Sequence, residues 1–128
     1  MEKSIFFLLP TMSNITARDE PDLHMAFEVR DISMSADTRF SYEPGDIVIG
    51  KLVPKANWWK QIHIGQFDFI LIHRTEGALL KKIFHHDAAT GRLTLRSLNP
   101  SFEDFSIDMN DISQIYNVLK VERRRAAR

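Results

Sequence analysis

The chain has 128 residues and no cysteine, which excludes a disulfide framework, a thiolate nucleophile and cysteine-ligated zinc. This absence fits a reducing compartment, and we expect a cytoplasmic protein. An excess of charge of one sign is lacking too, because 17 basic residues balance 17 acidic ones. A neutral chain has no global field that attracts nucleic acid or anionic lipid, so we expect it to bind neither nucleic acid nor membrane directly.

Long apolar runs are also missing. The N-terminal run Ile5–Leu9 ends at Pro10, whereas a membrane-spanning helix needs about 20 apolar residues. The run is also too short for the apolar region of a secretory signal, and no small-residue cleavage site follows it. We therefore expect Ile5–Leu9 to be a strand or tail that packs on the core.

The length allows one domain with a real hydrophobic core. Residues 10–25 contain two prolines and many polar residues without an apolar period, which is typical of irregular backbone. We therefore predict an irregular N-terminal arm over residues 1–25, a compact domain over 26–123 and a basic, solvated tail over 124–128.

Alternating and β-branched segments separated by turn residues predict a mainly β fold, built of twisted antiparallel hairpins in a small closed or partly closed sheet. Pro44-Gly45, Glu76-Gly77 and Asp87–Gly91 are the turn signals. No apolar helical stripe of ten residues is present. The expected strands are Ala26–Arg30, Asp46–Lys51, Phe67–His73, Ala78–His86, Arg92–Leu98, Phe105–Ile107 and Ile115–Val121.

Two features point to chemistry. Ser33 lies where a short strand ends in a polar loop, a common place for a reactive side chain on a rigid scaffold. Lys81 and Lys82 fall on opposite faces of an apolar strand, because side chains alternate across a sheet. A lysine in an apolar setting can lose its proton and act as the base that activates a serine. Periodicity alone leaves the choice of lysine open, and one or both can simply reach solvent.

The order of four segments carries a resemblance. They are Phe27–Met34, then Pro44–Val48, then Leu80–Ile83, and finally Leu95-Arg96-Ser97-Leu98-Asn99-Pro100. From about residue 27 to 123 the chain resembles the C-terminal domain of LexA-type and phage repressors, a family that includes the UmuD-type mutagenesis proteins.

The resemblance implies a LexA-like β domain that cuts a peptide bond, usually in its own chain, with a Ser/Lys dyad. It assigns Ser33 as the nucleophile and Lys81 as the general base, and it assigns the backbone N–H groups near Ser33 and Met34 to the oxyanion. Lys82 takes the neighbouring non-catalytic position. It also implies a homodimer, a regulatory protein partner and a transcriptional, SOS or prophage setting, with no cofactor or metal.

The sequence departs from the family pattern in three places. Asp31-Ile32 stands where the family has Gly followed by Asp or Asn before the serine. Residues 1–32 lack the glycine of the usual Ala-Gly or Cys-Gly cleavage bond, and no helix-turn-helix pattern fits before residue 26. The alternative function is therefore a dimerisation or partner-binding module of the same fold. A signal-peptidase relative is a second enzymatic alternative, but it calls for a membrane anchor.

Other candidate residues are interpreted as structural. His85 and His86 are adjacent on a strand, so their side chains point to opposite faces and do not readily share an ion. Trp58 and Trp59 belong to a long connection, and we expect them to pack against a sheet edge.

Overall fold

The computed structural model describes residues 5–12, 23–38, 40–59 and 62–123, with side chains from residue 23 onward. These residues form eight strands and two short 3-10 turns, Lys55–Asn57 and Met109–Asp111. No helix among them has the length and apolar character needed to cross a membrane. The strands are β1 (Ile5–Met12), β2 (Leu23–Val29), β3 (Ile47–Leu52), β4 (Phe69–His73), β5 (Gly77–Asp87), β6 (Arg92–Arg96), β7 (Phe105–Asp108) and β8 (Ile112–Glu122).

The strands form one antiparallel sheet in the order β1-β2-β3-β8-β4-β5-β6-β7. The sheet curls into a half-barrel. β2 and β5 are separated in this order by three strands, so only the curl can bring residues at the end of β2 close to β5. The contact of β1 with β5 has the same origin.

The alternating side chains of β4 and β5 fill two apolar clusters on the two faces of the sheet. Leu79 and Ile83 belong to one cluster and Leu80 to the other. In the second cluster the rings of Phe27 and Tyr116 meet edge to face with centroids 5.2 Å apart, a geometry that contributes about 0.5–1.5 kcal/mol beyond area burial. Strand β5, which carries both lysines, is therefore held from both sides.

Two glycines fix close approaches. A Cβ at Gly50 would lie 2.9 Å from the Cβ of Tyr116, so glycine lets β3 and β8 approach closely. Gly91 has φ +78°, and a Cβ there would lie 2.6 Å from the ring of Trp59. Glycine at position 91 therefore allows the left-handed backbone of the turn and leaves room for the ring of Trp59.

The mainly β prediction is confirmed, and each of the seven expected strands is present with ends shifted by a few residues. The turn at Pro44-Gly45 is confirmed as well, because the Asp46 N–H donates to the Glu43 carbonyl and Gly45 has φ +95°. The turns before and after β5 have glycines with positive φ, as the sequence indicates.

The strand interpretation of Ile5–Leu9 is confirmed, whereas the prediction of irregular backbone is wrong for residues 10–12 and 23–25. Ile5–Met12 is a strand paired antiparallel with β2, and β2 begins at Leu23 rather than at Ala26. The physical reason is that Pro10 is tolerated in an edge strand, where a register shift between Phe7 and Pro10 accommodates it. Residues 13–22 and the predicted basic tail 124–128 lie outside the described residues.

Candidate active site

Ser33 lies in the turn that follows β2, and its side chain is completely buried. The Ser35 N–H donates to the Ile32 carbonyl at 3.0 Å, which closes the turn around Ser33. Ile32 itself is 53% exposed. The serine hydroxyl therefore lies directly beneath the protein surface, under a short loop.

Lys81 lies in the middle of β5 and is also completely buried. Its ammonium nitrogen Nζ donates to Ser33 Oγ at 2.9 Å and to Ser97 Oγ at 2.9 Å. The rings of Phe102 and Phe105 lie with their centroids 5.9 Å from Nζ. The amine thus lies between two hydroxyls and two aromatic rings, a setting of low polarity.

The structure brings together the two residues to which the resemblance assigns the roles of nucleophile and base. They are 48 positions apart in the chain, and the Lys81 Nζ–Ser33 Oγ distance lies within hydrogen-bond reach. A lysine amine can donate to a hydroxyl when it is protonated and accept from it when it is neutral, so the same contact can carry a proton from serine to lysine.

Asp31 makes two further contacts with Ser33. The Ser33 hydroxyl and the Ser33 backbone N–H both donate to Asp31 Oδ1, each at 3.0 Å. The N–H contact is an Asx turn, in which a side-chain oxygen takes the place of a backbone acceptor two residues on. The other carboxylate oxygen, Oδ2, is buried and has no hydrogen-bond partner in the described part of the chain.

These contacts bear on the predicted oxyanion groups. The Ser33 N–H is already bonded to Asp31, so it does not point to an open oxyanion position in this arrangement. The Met34 N–H makes no hydrogen bond to any described residue. Of the two predicted donors, only the Met34 N–H has no acceptor among the described residues, so it is the one that can bind an oxyanion in this arrangement.

The segment after β6 makes hydrogen bonds that hold the loop carrying Ser33 in place. The Asn99 N–H donates to the Ser33 carbonyl at 2.9 Å, and the Asn99 side-chain amide donates to the Ile32 carbonyl at 3.1 Å. The Leu98 N–H contacts the Met34 sulfur at 3.3 Å. The Leu95–Pro100 segment of the sequence thus supplies both a hydroxyl to Lys81 and an anchor for the loop.

Lys82 faces away from this site. Its side chain is 46% exposed, and its Nζ lies 2.6 Å from Asp68 Oδ1. The hydroxyl of Tyr42 donates to the other oxygen of Asp68. Burial, together with the charge of Asp68 and its hydrogen bond, raises the pKa of Tyr42 well above its usual range.

The remaining candidates do not join the site. His85 is exposed and His86 is half-buried, after a register shift between Ile83 and His85. Burial lowers the pKa of His86. The described residues contain no group of three or more His, Cys, Asp or Glu side chains that could hold a metal ion. Trp58 is buried in the first cluster and donates to the Val53 carbonyl, while Trp59 lies over Gly91 and is partly exposed.

Comparison with known proteins identifies no relative. No family model matches the chain, and neither a curated protein nor a solved structure matches it. The site must therefore be interpreted from its own geometry and from the sequence resemblance.

Three residues of the site were not predicted from the sequence as functional. Ser97 and Asn99 lie within the motif that carries the resemblance, but only the structure shows their contacts with Lys81 and with the serine loop. Asp31 is visible in the sequence only as a departure from the family pattern. A polar residue two positions before a candidate nucleophile is the signal that would have found it, because aspartate accepts the N–H two residues on.

Proposed function

We propose that this chain is a Ser/Lys hydrolase domain that cleaves peptide bonds, as the resemblance to the LexA and phage-repressor domains implies. The observation that carries the proposal is the 2.9 Å hydrogen bond between Lys81 Nζ and Ser33 Oγ, two fully buried groups from distant parts of the chain. Burying a lysine amine costs free energy, which its hydrogen bonds to Ser33 and Ser97 offset in part. Nucleophilic catalysis is a use that fits it.

In the proposed reaction, Ser33 Oγ attacks the carbonyl carbon of a peptide bond while its proton passes to the neutral amine of Lys81. The negative charge on the carbonyl oxygen is stabilised by backbone N–H groups of the serine loop, with Met34 as the first candidate. Collapse of the tetrahedral intermediate breaks the C–N bond, and Lys81 returns the proton to the leaving amine. Water then attacks the acyl-serine while Lys81 takes its proton, and Lys81 returns that proton to Ser33 Oγ as the C–O bond to the serine breaks and the acid is released.

Ser97 is a positioning residue in this scheme. Its hydroxyl receives a hydrogen bond from Nζ at 2.9 Å and holds the amine at the correct distance from Ser33. The rings of Phe102 and Phe105 keep water from the amine on another side.

The test is cleavage in water enriched with ¹⁸O. Wild-type protein, alone and with a library of peptides, is incubated at alkaline pH, and new carboxyl termini are identified by mass spectrometry. Each hydrolysis incorporates one ¹⁸O. We expect cleavage that disappears in Ser33→Ala and persists in Ser35→Ala, because Ser35 bonds to Glu43 rather than to Lys81. Equal cleavage by wild type and Ser33→Ala would contradict the proposal.

The same experiment separates self-cleavage from cleavage of another chain. Self-cleavage within one molecule gives a first-order rate that does not change with protein concentration, whereas cleavage in trans rises with it. The proposed setting, regulation of transcription in a stress response or a prophage through a protein partner, rests on the resemblance to the repressor family.

A second candidate function is a pairing module for two copies of the chain. It is favoured by a surface cavity of about 550 Å³ lined in part by three exposed apolar side chains, Phe40, Leu119 and Val121. In the family that the sequence resembles, the same domain pairs repressor subunits. Light scattering tests this alternative: a dimer that persists in Ser33→Ala and dissociates in Leu119→Glu, with no cleavage in any variant, would favour pairing over hydrolysis.

A further inference from the structure

We propose that Asp31 is a latch that holds Ser33 in a resting arrangement and must turn away before Ser33 reacts. This inference rests on the proposed hydrolase function. It deepens that function by naming a residue that restrains it, at a position where the resemblance to known domains assigns no role.

The hydrogen bonds at Ser33 direct its hydroxyl proton to Asp31 rather than to Lys81. Lys81 Nζ donates to Ser33 Oγ, and Ser33 Oγ donates to Asp31 Oδ1. A serine hydroxyl has a single proton to donate. While that proton points at Asp31, it does not point at Lys81, so the transfer from serine to lysine cannot begin in this arrangement.

Asp31 also acts on a backbone donor that an oxyanion would need. Asp31 Oδ1 also accepts the Ser33 backbone N–H. An oxyanion at the carbonyl under attack would compete with a carboxylate for this donor. The negative charge of Asp31 beside the developing oxyanion would also oppose it, since like charges repel. Asp31 Oδ1 thus accepts both the hydroxyl proton of the nucleophile and the Ser33 N–H, which is a candidate donor to the oxyanion.

The second carboxylate oxygen of Asp31 gives the side chain a reason to turn away from Ser33. Asp31 Oδ2 is buried without a partner in the described part of the chain, and a buried carboxylate oxygen without a hydrogen bond is costly. Rotation of the Asp31 side chain toward solvent hydrates Oδ2 and frees both donors of Ser33. The neighbouring Ile32 is already exposed, so the loop lies at the surface where such a rotation has room.

An alternative role for Asp31 predicts the opposite result. If its carboxylate were itself the base that takes the Ser33 proton, then removing it would slow the reaction by about a hundredfold or more. The sign of the effect therefore separates a restraining residue from a catalytic one. Asp31 Oδ1 accepts both the Ser33 N–H and the Ser33 hydroxyl. This favours the restraining role, because a general base needs a contact with the hydroxyl only.

The experiment measures the rate at which a fluorophosphonate probe modifies Ser33. In this step the Ser33 Oγ–phosphorus bond forms, fluoride leaves and the serine proton passes to Lys81. The variants are Asp31→Ala, Asp31→Asn and the matched control Asp37→Ala, an exposed aspartate of the same loop. Peptide mapping identifies the modified serine, and Ser33→Ala supplies the blank.

We expect Asp31→Ala to react about tenfold faster than wild type or more, because it gains a free oxyanion donor. Asp31→Asn should lie in between, since a neutral amide oxygen accepts more weakly than a carboxylate. Asp37→Ala should match wild type. Amide hydrogen exchange gives an independent readout: the Ser33 N–H should exchange at least about tenfold faster in Asp31→Ala than in wild type, since its acceptor is gone.

Two outcomes would overturn the inference, and they differ in what they say about the hydrolase. If wild type is modified at Ser33 while both Asp31 variants react at the same rate or more slowly, the latch is wrong and the hydrolase stands. If Ser33 is modified in no variant, Asp31→Ala included, both fail. Asp31→Asn keeps the shape of the side chain, so it decides the question even if Asp31→Ala disturbs the loop.

Discussion

Lys81 and Lys82 are neighbours on β5 with the same side chain, and the sheet places them in opposite surroundings. Lys81 is fully buried and bonds to the hydroxyls of Ser33 and Ser97. Lys82 is 46% exposed and bonds to the carboxylate of Asp68. The difference follows from strand geometry alone, because adjacent side chains point to opposite faces.

The comparison shows how one strand supports two kinds of interaction. On the face of Lys82, a charge-paired lysine extends into solvent, where an ion pair contributes little to stability. On the other face, the amine of Lys81 is buried beside two aromatic rings and is hydrogen-bonded to Ser33, the proposed nucleophile.

The largest effect is expected from exchanging each lysine for methionine, which keeps the length of the side chain. Lys81→Met should reduce Ser33-dependent cleavage by about 10²–10⁴-fold, the contribution typical of a general base. Lys82→Met should leave the rate within about twofold, because its amine lies on the other face. Initial rates of ¹⁸O incorporation measure both, and circular dichroism checks that each variant is folded. Equal losses in the two variants would erase the proposed contrast.

A smaller effect is expected at Ser97, which holds the amine of Lys81. Ser97→Ala should slow cleavage by about tenfold, equivalent to ~1.4 kcal/mol in the activation free energy. Ser97→Thr restores the hydroxyl and should recover most of the rate. Ser106→Ala is the matched control, because Ser106 lies on β7 and is exposed. A rate that falls in Ser97→Thr as far as in Ser97→Ala would show that the hydroxyl is not the cause.

The network around Lys82 predicts a distinct response to pH. The chain has two tyrosines; burial raises the pKa of both, and the charge of Asp68 raises that of Tyr42 further. Absorbance at 295 nm should therefore show no tyrosinate near pH 10, the usual value, while the protein is folded. The folded state holds these protons more tightly, so the contribution of the two tyrosines to the free energy of unfolding should be constant below about pH 10 and fall above it.

That response has a matched variant. In Tyr42→Phe only Tyr116 remains of the two tyrosines, so the loss of stability between about pH 10 and pH 12 should be smaller than in wild type. Urea unfolding at several pH values measures it. A tyrosinate signal of two side chains near pH 10 in folded protein would contradict the buried Tyr42–Asp68 contact.

The smallest effect is expected from Lys82→Ala. Removing a half-exposed ion-pair partner should change the free energy of unfolding by about 1 kcal/mol or less, measured by urea unfolding at neutral pH. A loss of several kcal/mol would mean that the solvent-facing lysine contributes to the core, and the contrast with Lys81 would be weaker than the structure indicates.

Much of the fold could be predicted from the sequence, because alternation and turn residues are local signals. The strand around Leu79–Ile83 and the turn at Pro44-Gly45 depend only on neighbouring residues. Beyond Leu9 the sequence predicts irregular backbone, because Pro10 disfavours a strand. The strand continues to Met12 because it pairs with β2, and this pairing is not a local feature of the sequence.

The site was predictable only in part. The resemblance selects Ser33 and Lys81, whereas the periodicity of the strand does not distinguish Lys81 from Lys82 as the candidate base. What brings Ser33 to β5 is the curl of a sheet in which three strands intervene, and no local pattern encodes it. The contacts of Ser97 with Lys81 and of Asp31 with Ser33 depend on that curl and on a loop conformation, so they appear only in three dimensions.

The measurement that tests the central claim most directly is the location of the covalent adduct after wild-type protein reacts with a fluorophosphonate. Peptide mapping should find the phosphonyl group on Ser33 and on no other serine, and Lys81→Met should lack the adduct while Lys82→Met retains it. An adduct spread over several serines, or one on Ser33 that forms equally fast without Lys81, would contradict a Ser33–Lys81 dyad.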